Sequence, residues 1–183
     1  VMDDADVVVV VLDALGGVTD QDARIINLAV DRYKPVLLVV NKWDLVPEKS
    51  ANTAKQYTEN IHRILADMTF LPTHFISCQT NQRVADVLSR VEHLALQTQK
   101  RVATARVNEI LEAMLLHNPP SLIKSSSKRL KFYFATQVSV SPPTIVIKAN
   151  FAKDVRPSYV RYMTRTFRRE LGFPDVPINL TLR

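Results

Sequence analysis

The amino-acid sequence predicts an α/β protein built from two modules. In residues 1–100, short runs of valine, leucine and isoleucine alternate with segments of helical periodicity, which indicates an open parallel sheet with the order β-α-β-α-β-α. Residues 101–183 have the order α-β-β-α-β, typical of a small α+β domain. The net charge is −3 over residues 1–100 and +9 over residues 101–183, so we predict a domain boundary at residue 100.

The first module begins with a predicted strand over residues 6–13, a run of valines and a leucine bounded by aspartates. A second strand, residues 35–40, is equally apolar, as expected for parallel strands buried on both faces. Between them, apolar residues recur at helical spacing after Thr19, and Thr19 with Asp22 has the pattern of a capping box. We therefore predict that a helix begins directly after Thr19.

The same alternation continues to the end of the first module. Residues 50–68 place apolar side chains on one face of a predicted helix, and residues 74–77 form a third short strand. Asn81 is expected to cap the helix that follows. Because crossovers between parallel strands are right-handed, ligand contacts are predicted at the carboxyl ends of these strands.

The second module opens with a helix that Thr104 is expected to cap and that stops at Asn118, before two prolines. Two segments of alternating hydrophobicity, residues 130–138 and 144–149, predict a hairpin. A short serine loop at residues 125–127 precedes it.

A basic helix closes the second module. It begins at Pro157, ends near Gly172 and is followed by an alternating strand over residues 178–182. Its polar face carries clustered arginines, with further cations just before it, and such clusters bind the phosphates of nucleic acids. The residues predicted to contact RNA or the ribosome are Lys153, Arg156, Arg161, Arg165, Arg168 and Arg169.

Composition excludes several classes of protein. The apolar runs are far shorter than the roughly 20 residues of a membrane-spanning helix, so no membrane partner is expected. A single cysteine excludes an internal disulfide and favours a reducing cytoplasm. Three glycines are too few for a glycine-rich phosphate cradle. The four histidines do not cluster at metal-ligand spacing, so no metal site is predicted.

The segment from Asn41 to Asp44 directly follows the second predicted strand, where an open parallel sheet presents its ligand contacts. Guanine carries two neighbouring N–H donors that adenine lacks, and the carboxylate of Asp44 can accept both. Asn41 can orient the loop and meet the N7 and O6 side of the base, while the aliphatic stem of Lys42 can lie along the ring. Trp43 completes the predicted nucleotide-binding segment.

A second strand end supports this interpretation. Ser77 and Cys78 follow the third predicted strand, where a backbone N–H of Cys78 can meet guanine O6 and Ser77 can steady the turn. The guanine nucleotides GTP and GDP are therefore the predicted ligands.

Sequence motifs across nearly the whole chain resemble a known family. NKWD after the second strand resembles the carboxyl-terminal half of a GTPase domain, and DVVVVVLDA at residues 6–14 and GVTDQD at residues 17–22 resemble the Der or EngA double-GTPase family. Its KH-like domain is similar to six segments here: RVN at 106–108, HNPP at 117–120, YFATQV at 133–138, PPT at 142–144, YVRY at 159–162 and PI at 177–178. The resemblance implies a P-loop GTPase-type sheet, present here in part, followed by a KH-like domain.

The resemblance also implies a function and a set of absent parts. Family members act in assembly of the large ribosomal subunit, so ribosomal RNA or that subunit is an expected partner. They carry a G-x-x-x-x-G-K-S loop, a switch threonine and a D-x-x-G segment upstream of the first strand matched here, and we expect none of these upstream segments within these 183 residues. We therefore expect the upstream GTPase domains of the same chain to be partners, and Mg²⁺ to bind only with those segments. GTP hydrolysis is expected of the full-length protein but not of this chain alone, which supplies no catalytic residue.

Two alternatives remain open from the sequence. One is an RNA- or ribosome-binding module without a nucleotide function. The other is a single-GTPase protein of the Era type, although a KH domain usually clamps RNA with a G-x-x-G loop and no such pair of glycines exists here.

Overall fold

The structure, a computed structural model, describes residues 2–120 and 129–183. The predicted serine loop at residues 125–127 lies outside the described residues. Contacts divide the chain into two units, Val1–Leu96 and Gln97–Arg183. Each unit is described by itself.

The first unit contains a three-stranded parallel sheet with the order β1-β2-β3, which confirms the predicted fold class. Its elements are β1 Val8–Asp13, α1 Asp20–Asp31, β2 Val36–Asn41, α2 Thr53–Ile64, β3 Thr73–Phe75 and all but the last two residues of α3 Asp86–Thr98. The register pairs Asp13 with Asn41, the last residues of β1 and β2. Polar residues from two strand ends therefore lie side by side at the carboxyl edge of the sheet.

The central strand of the sheet, β2, is almost completely buried. Five of the six residues of β2 are buried, whereas β1 alternates, with Val10 and Leu12 buried and Val9 and Val11 exposed. Ile26 of α1 and Ile61 of α2 pack in the same core as Val10 and Leu12. The described residues thus cover one face of β1 and leave Val11 on the other face 59% exposed.

The capping box predicted at the start of α1 is present. Thr19 Oγ1 accepts a hydrogen bond from the Asp22 N–H at 3.2 Å, and Asp22 Oδ2 accepts one from the Thr19 N–H at 2.9 Å. Each side chain satisfies one of the backbone donors that have no partner within the first helical turn.

Two predicted helix caps were wrong. Asn81 lies five residues before α3 and has a φ of 57°, the left-handed conformation that asparagine tolerates better than most residues. Thr104 is the first residue of α4 and Ala103 occupies the cap position. The Thr104 hydroxyl instead lies 3.3 Å from the Thr136 hydroxyl on the neighbouring strand, so a tertiary contact replaces the local one.

The second unit is a small mixed sheet with two helices. Its elements are α4 Thr104–His117, β4 Phe132–Val140, β5 Pro143–Ala149, α5 Pro157–Glu170 and β6 Asn179–Leu182. The sheet order is β4-β5-β6, with β4 and β5 forming the predicted antiparallel hairpin and β6 parallel to β5. Gly172 follows α5 with a φ of 75°, which glycine adopts at low cost after a helix end.

No helix in the described part of the chain is long and apolar enough to cross a membrane.

Candidate nucleotide-binding site

The candidate site lies at the carboxyl edge of the first sheet. β2 ends at Asn41, Lys42 turns the chain with a left-handed φ of 62°, and a short 3₁₀ turn, Trp43–Leu45, follows. The Trp43 N–H donates to the Ile76 carbonyl at 3.0 Å. This bond ties the loop after β2 to the loop after β3, so the two predicted segments lie together.

Asn41 connects these two loops through its side chain. Its Oδ1 accepts a hydrogen bond from the Cys78 N–H at 3.0 Å, across 37 residues of sequence. The backbone donor that was expected to meet a base oxygen is therefore engaged by Asn41 in this structure. A ligand oxygen at this position would share the Cys78 N–H with Asn41.

Ser77 stabilises the turn after β3. It is fully buried and pairs with Gln82 through two backbone hydrogen bonds of 3.1 and 3.0 Å. Its hydroxyl oxygen also accepts the Thr80 N–H at 3.1 Å. Ser77 thus stabilises the loop by hydrogen bonds from a buried position, while the neighbouring Cys78 is exposed.

Asp44 carries a carboxylate oxygen with unused capacity to accept hydrogen bonds. Its Oδ1 is buried and has no hydrogen-bond partner among the described residues. The backbone around it is held by Lys49, whose Nζ donates to the Trp43 carbonyl at 2.7 Å and to the Asp44 carbonyl at 3.3 Å. A buried carboxylate oxygen without a partner is costly, so this position favours a ligand that brings N–H donors.

Trp43 does not line the site, contrary to its place in the predicted nucleotide-binding set. Trp43 is 5% exposed, and its ring lies 4.3 Å from the ring of Phe75 and 5.6 Å from that of Tyr57, measured between centroids. Burial of this large apolar ring outweighs any surface role, because a tryptophan removes more apolar area from water than other side chains. Trp43 therefore anchors the loop to the core.

Asp13 lies beside the predicted residues Asn41 and Lys42 and was not among the predicted site residues. Its Oδ2 forms an ion pair with Lys42 Nζ at 2.6 Å, and its Oδ1 accepts the Leu15 N–H at 2.8 Å and the Gly16 N–H at 3.4 Å. The hydrogen bonds from the Lys42 ammonium and the Leu15 N–H lower the pKa of Asp13. The hydrogen bond to Asp13 in turn raises the pKa of Lys42. Asp13 ends β1, so the strand-end rule that identified Asn41 could have identified it too.

The basic face of α5 is narrower than predicted. Arg161, Arg165 and Arg169 are exposed and follow one another at intervals of four residues, and Lys153 and Arg156 are exposed just before the helix. Arg168 is partly buried instead. Burial and the nearby Arg165 charge lower the pKa of Arg168 to about 10, so it remains charged at neutral pH.

A cleft of about 560 Å³ lies between α4 and α5 within the second unit. Two ion pairs border it, Arg106 with Glu109 at 2.8 Å and Arg169 with Glu170 at 2.7 Å. Its charges are therefore mixed, and Arg165 and Arg169 of the exposed α5 row are among its lining residues. Within residues 2–120 and 129–183, no group of three or more histidine, cysteine, aspartate or glutamate side chains could hold a metal ion.

Comparison with known proteins identifies two families that match this chain. The family model described as "Elongation factor Tu GTP binding domain" matches residues 1–119, and "KH-domain-like of EngA bacterial GTPase enzymes, C-terminal" matches residues 101–183. The first match includes the whole candidate site, and the second includes both helices and all three strands of the second unit.

Curated relatives carry one shared name, "GTPase Der". The relative from Syntrophotalea carbinolica is 41% identical over 182 residues, covering 100% of this chain and 41% of the relative. Those from Caldanaerobacter subterraneus and Moorella thermoacetica are each 42% identical over 180 residues, covering 98% of this chain and 40% of the relative. The chain thus spans about two fifths of the length of the curated relatives it matches. Together with the strand-end site and the mixed second sheet, these matches show that the chain belongs to the Der (EngA) family of GTPases.

Proposed function

We propose that this chain is the guanine-recognition part and the KH-like domain of a cytoplasmic GTP-binding protein that acts in assembly of the large ribosomal subunit. The observation that carries the nucleotide proposal is the buried Asp44 Oδ1, which has no partner among the described residues and lies in the loop that follows β2. The domain boundary proposed at residue 100 falls close to the division between residues 96 and 97.

Guanine supplies what the Asp44 carboxylate lacks. The N1–H and the exocyclic amino group of guanine point in the same direction and can both donate to one carboxylate, whereas adenine presents no such pair. Asn41 and Lys42 precede Asp44 in the loop at the carboxyl edge of the sheet, and the half-exposed stem of Lys42 offers an apolar surface to a planar ring. These residues would bind the base of GTP or GDP.

The phosphates and Mg²⁺ of such a nucleotide require residues outside this sequence. No G-x-x-x-x-G-K-S loop occurs in the 183 residues, and in their one D-x-x-G match, residues 13–16, the aspartate is paired with Lys42, so we assign no step of hydrolysis to them. We propose that upstream GTPase-domain segments of the same protein supply those groups. Exposed valines on one face of β1, Val9 and Val11, and the greater length of the relatives support this proposal.

The proposal is tested by comparing the affinities of the full-length protein for GDP and for ADP. We expect GDP to bind at least roughly 100-fold more tightly than ADP, because the guanine donors form two charge-assisted hydrogen bonds with Asp44. Competition between fluorescent GDP and unlabelled GDP or ADP measures the ratio. Equal affinity for GDP and ADP would refute the proposal.

We also propose that the KH-like domain binds ribosomal RNA through α5. Arg161, Arg165 and Arg169 form one exposed row, and residues 101–183 carry a net charge of +9. Each phosphate that such a cation neutralises releases counterions, which makes binding weaken with salt.

Changing the three arginines of this row together to glutamine is expected to reduce the salt dependence of RNA binding. The slope of log affinity against log salt should become shallower by roughly 2, since each contact to a single strand contributes about 0.7. The matched control changes three exposed arginines of the first unit to glutamine: Arg63, Arg83 and Arg90. Filter binding of ribosomal RNA at several salt concentrations measures both variants, and an equal loss in the two would contradict a specific role for α5.

A further inference from the structure

The Asp13 carboxylate is held more firmly than its exposure alone would suggest. Two backbone N–H groups, from Leu15 and Gly16, donate to its Oδ1. The Tyr57 hydroxyl donates to the backbone carbonyls of Asp13 at 3.3 Å and of Ala14 at 3.1 Å, which ties this strand end to α2. Side chain and backbone of Asp13 are therefore both fixed before any ligand binds.

Lys42 is held both at its backbone and at its ammonium group. Its backbone is set in the left-handed conformation between β2 and the 3₁₀ turn, and its ammonium is bound to Asp13 Oδ2 at 2.6 Å. Its four-carbon stem consequently spans the gap between the ends of β2 and β1, next to the turn that carries Asp44. A lysine without such an anchor would sample many rotamers and would lose that freedom on binding a ligand.

We propose that Asp13 is a positioning residue for nucleotide binding, which holds the stem of Lys42 as a preformed apolar wall for the purine ring. The proposal rests on the proposed guanine-binding function and deepens it by assigning a role to a residue outside the NKWD segment. Asp13 acts on affinity through Lys42, while Asp44 reads the base. The two contributions are separable because an apolar wall contacts any purine, whereas the carboxylate of Asp44 distinguishes guanine.

A double-mutant cycle in the whole protein tests the coupling. Asp13→Asn keeps an oxygen for the Leu15 and Gly16 N–H groups but removes the negative charge, and Lys42→Met keeps an apolar stem but removes the ammonium. We expect each single variant to bind GDP roughly 3- to 10-fold more weakly, the cost of immobilising one flexible side chain. The double variant should bind no more weakly than the weaker single variant, because the two residues act as one unit.

Asp3→Asn is the matched control, since Asp3 forms an exposed ion pair with Arg32 at 2.9 Å and lies before β1. It removes the same charge and should leave GDP affinity within twofold of the parent protein. In Asp13→Asn the ratio of GDP to xanthosine diphosphate affinity should stay unchanged, since Asp44 is intact. Additive losses in the double variant, or a GDP affinity unchanged in Asp13→Asn, would overturn the proposal.

A measurement without nucleotide separates this proposal from the proposed function. ¹⁵N NMR of the Lys42 ammonium should show a slowly exchanging resonance in the parent protein that disappears in Asp13→Asn. Its absence in the parent protein would overturn the anchoring of Lys42 even if GDP binds selectively. If the resonance behaves as expected while GDP and ADP bind equally, the proposed function fails, and the role of Asp13 in nucleotide binding fails with it.

Discussion

Replacing Asp44 by asparagine is expected to weaken GDP binding by roughly 100- to 10,000-fold. Hydrogen bonds to a charged group contribute about 1.5–3 kcal/mol each, and the substitution disrupts two of them by placing an amide donor against guanine donors. Xanthine has a carbonyl in place of the guanine amino group, so the same amide can pair with it. The variant should therefore prefer xanthosine diphosphate to GDP.

Competition binding with GDP, xanthosine diphosphate and ADP measures this change of preference in the whole protein. Asp31→Asn serves as control, because Asp31 is an exposed residue at the end of α1. Guanine selectivity that survives in Asp44→Asn would show that the base is recognised elsewhere. If GDP binding is absent from the parent protein and RNA binding is unaffected by the substitution, the alternative of an RNA-binding module without nucleotide function would gain support.

The second large effect is expected from Trp43→Ala, which should destabilise the first unit by about 3–5 kcal/mol. This is the usual cost of deleting a buried aromatic side chain, because apolar contacts are lost and a cavity remains. The ring of Trp43 packs against Phe75 of β3 and Tyr57 of α2, so its removal loosens the sheet and a helix together. Chemical unfolding followed by circular dichroism measures the loss of stability. Tryptophan fluorescence cannot serve, because Trp43 is the one tryptophan of the chain and the variant lacks it.

Trp43→Phe should retain part of the stability, as it keeps an aromatic ring in the same place. Leu45→Ala is the matched surface control, since Leu45 ends the same 3₁₀ turn and is 54% exposed, and it should change stability by less than about 0.5 kcal/mol. A Trp43→Ala variant as stable as the Leu45→Ala variant would contradict the assignment of Trp43 to the core.

Local patterns in the sequence were sufficient to predict most of the fold. The apolar runs predicted β1 and β2 to within two residues, and the alternation of residues 130–138 and 144–149 predicted the β4–β5 hairpin. The capping box of Thr19 and Asp22 is formed as predicted, because its two partners are three residues apart and need no other part of the chain. The strand-end rule also directed attention to Asn41 and Asp44.

The geometry of the candidate site depends on pairs of residues that are distant in sequence. Asn41 meets the Cys78 N–H across 37 residues, and Tyr57 donates to the Asp13 carbonyl across 44. The same applies to Lys42, whose partner Asp13 lies on a different strand. Nothing in the local spacing of these residues encodes their contact, because it exists only once β1, β2 and β3 pair in register.

The sequence by itself determined the order of the elements, the split in charge and the residue types at the strand ends, since each follows from periodicity, composition or spacing over a few residues. Only the tertiary structure decided which of those residues are buried and which are exposed at the strand ends. In the structure Trp43 is buried, Arg168 is partly buried and Lys42 is paired with Asp13. Neither Asn81 nor Thr104 occupies the cap position predicted for it. The physical reason is that burial and ion pairing are properties of surfaces brought together by packing, and they outweigh the local preferences of single residues.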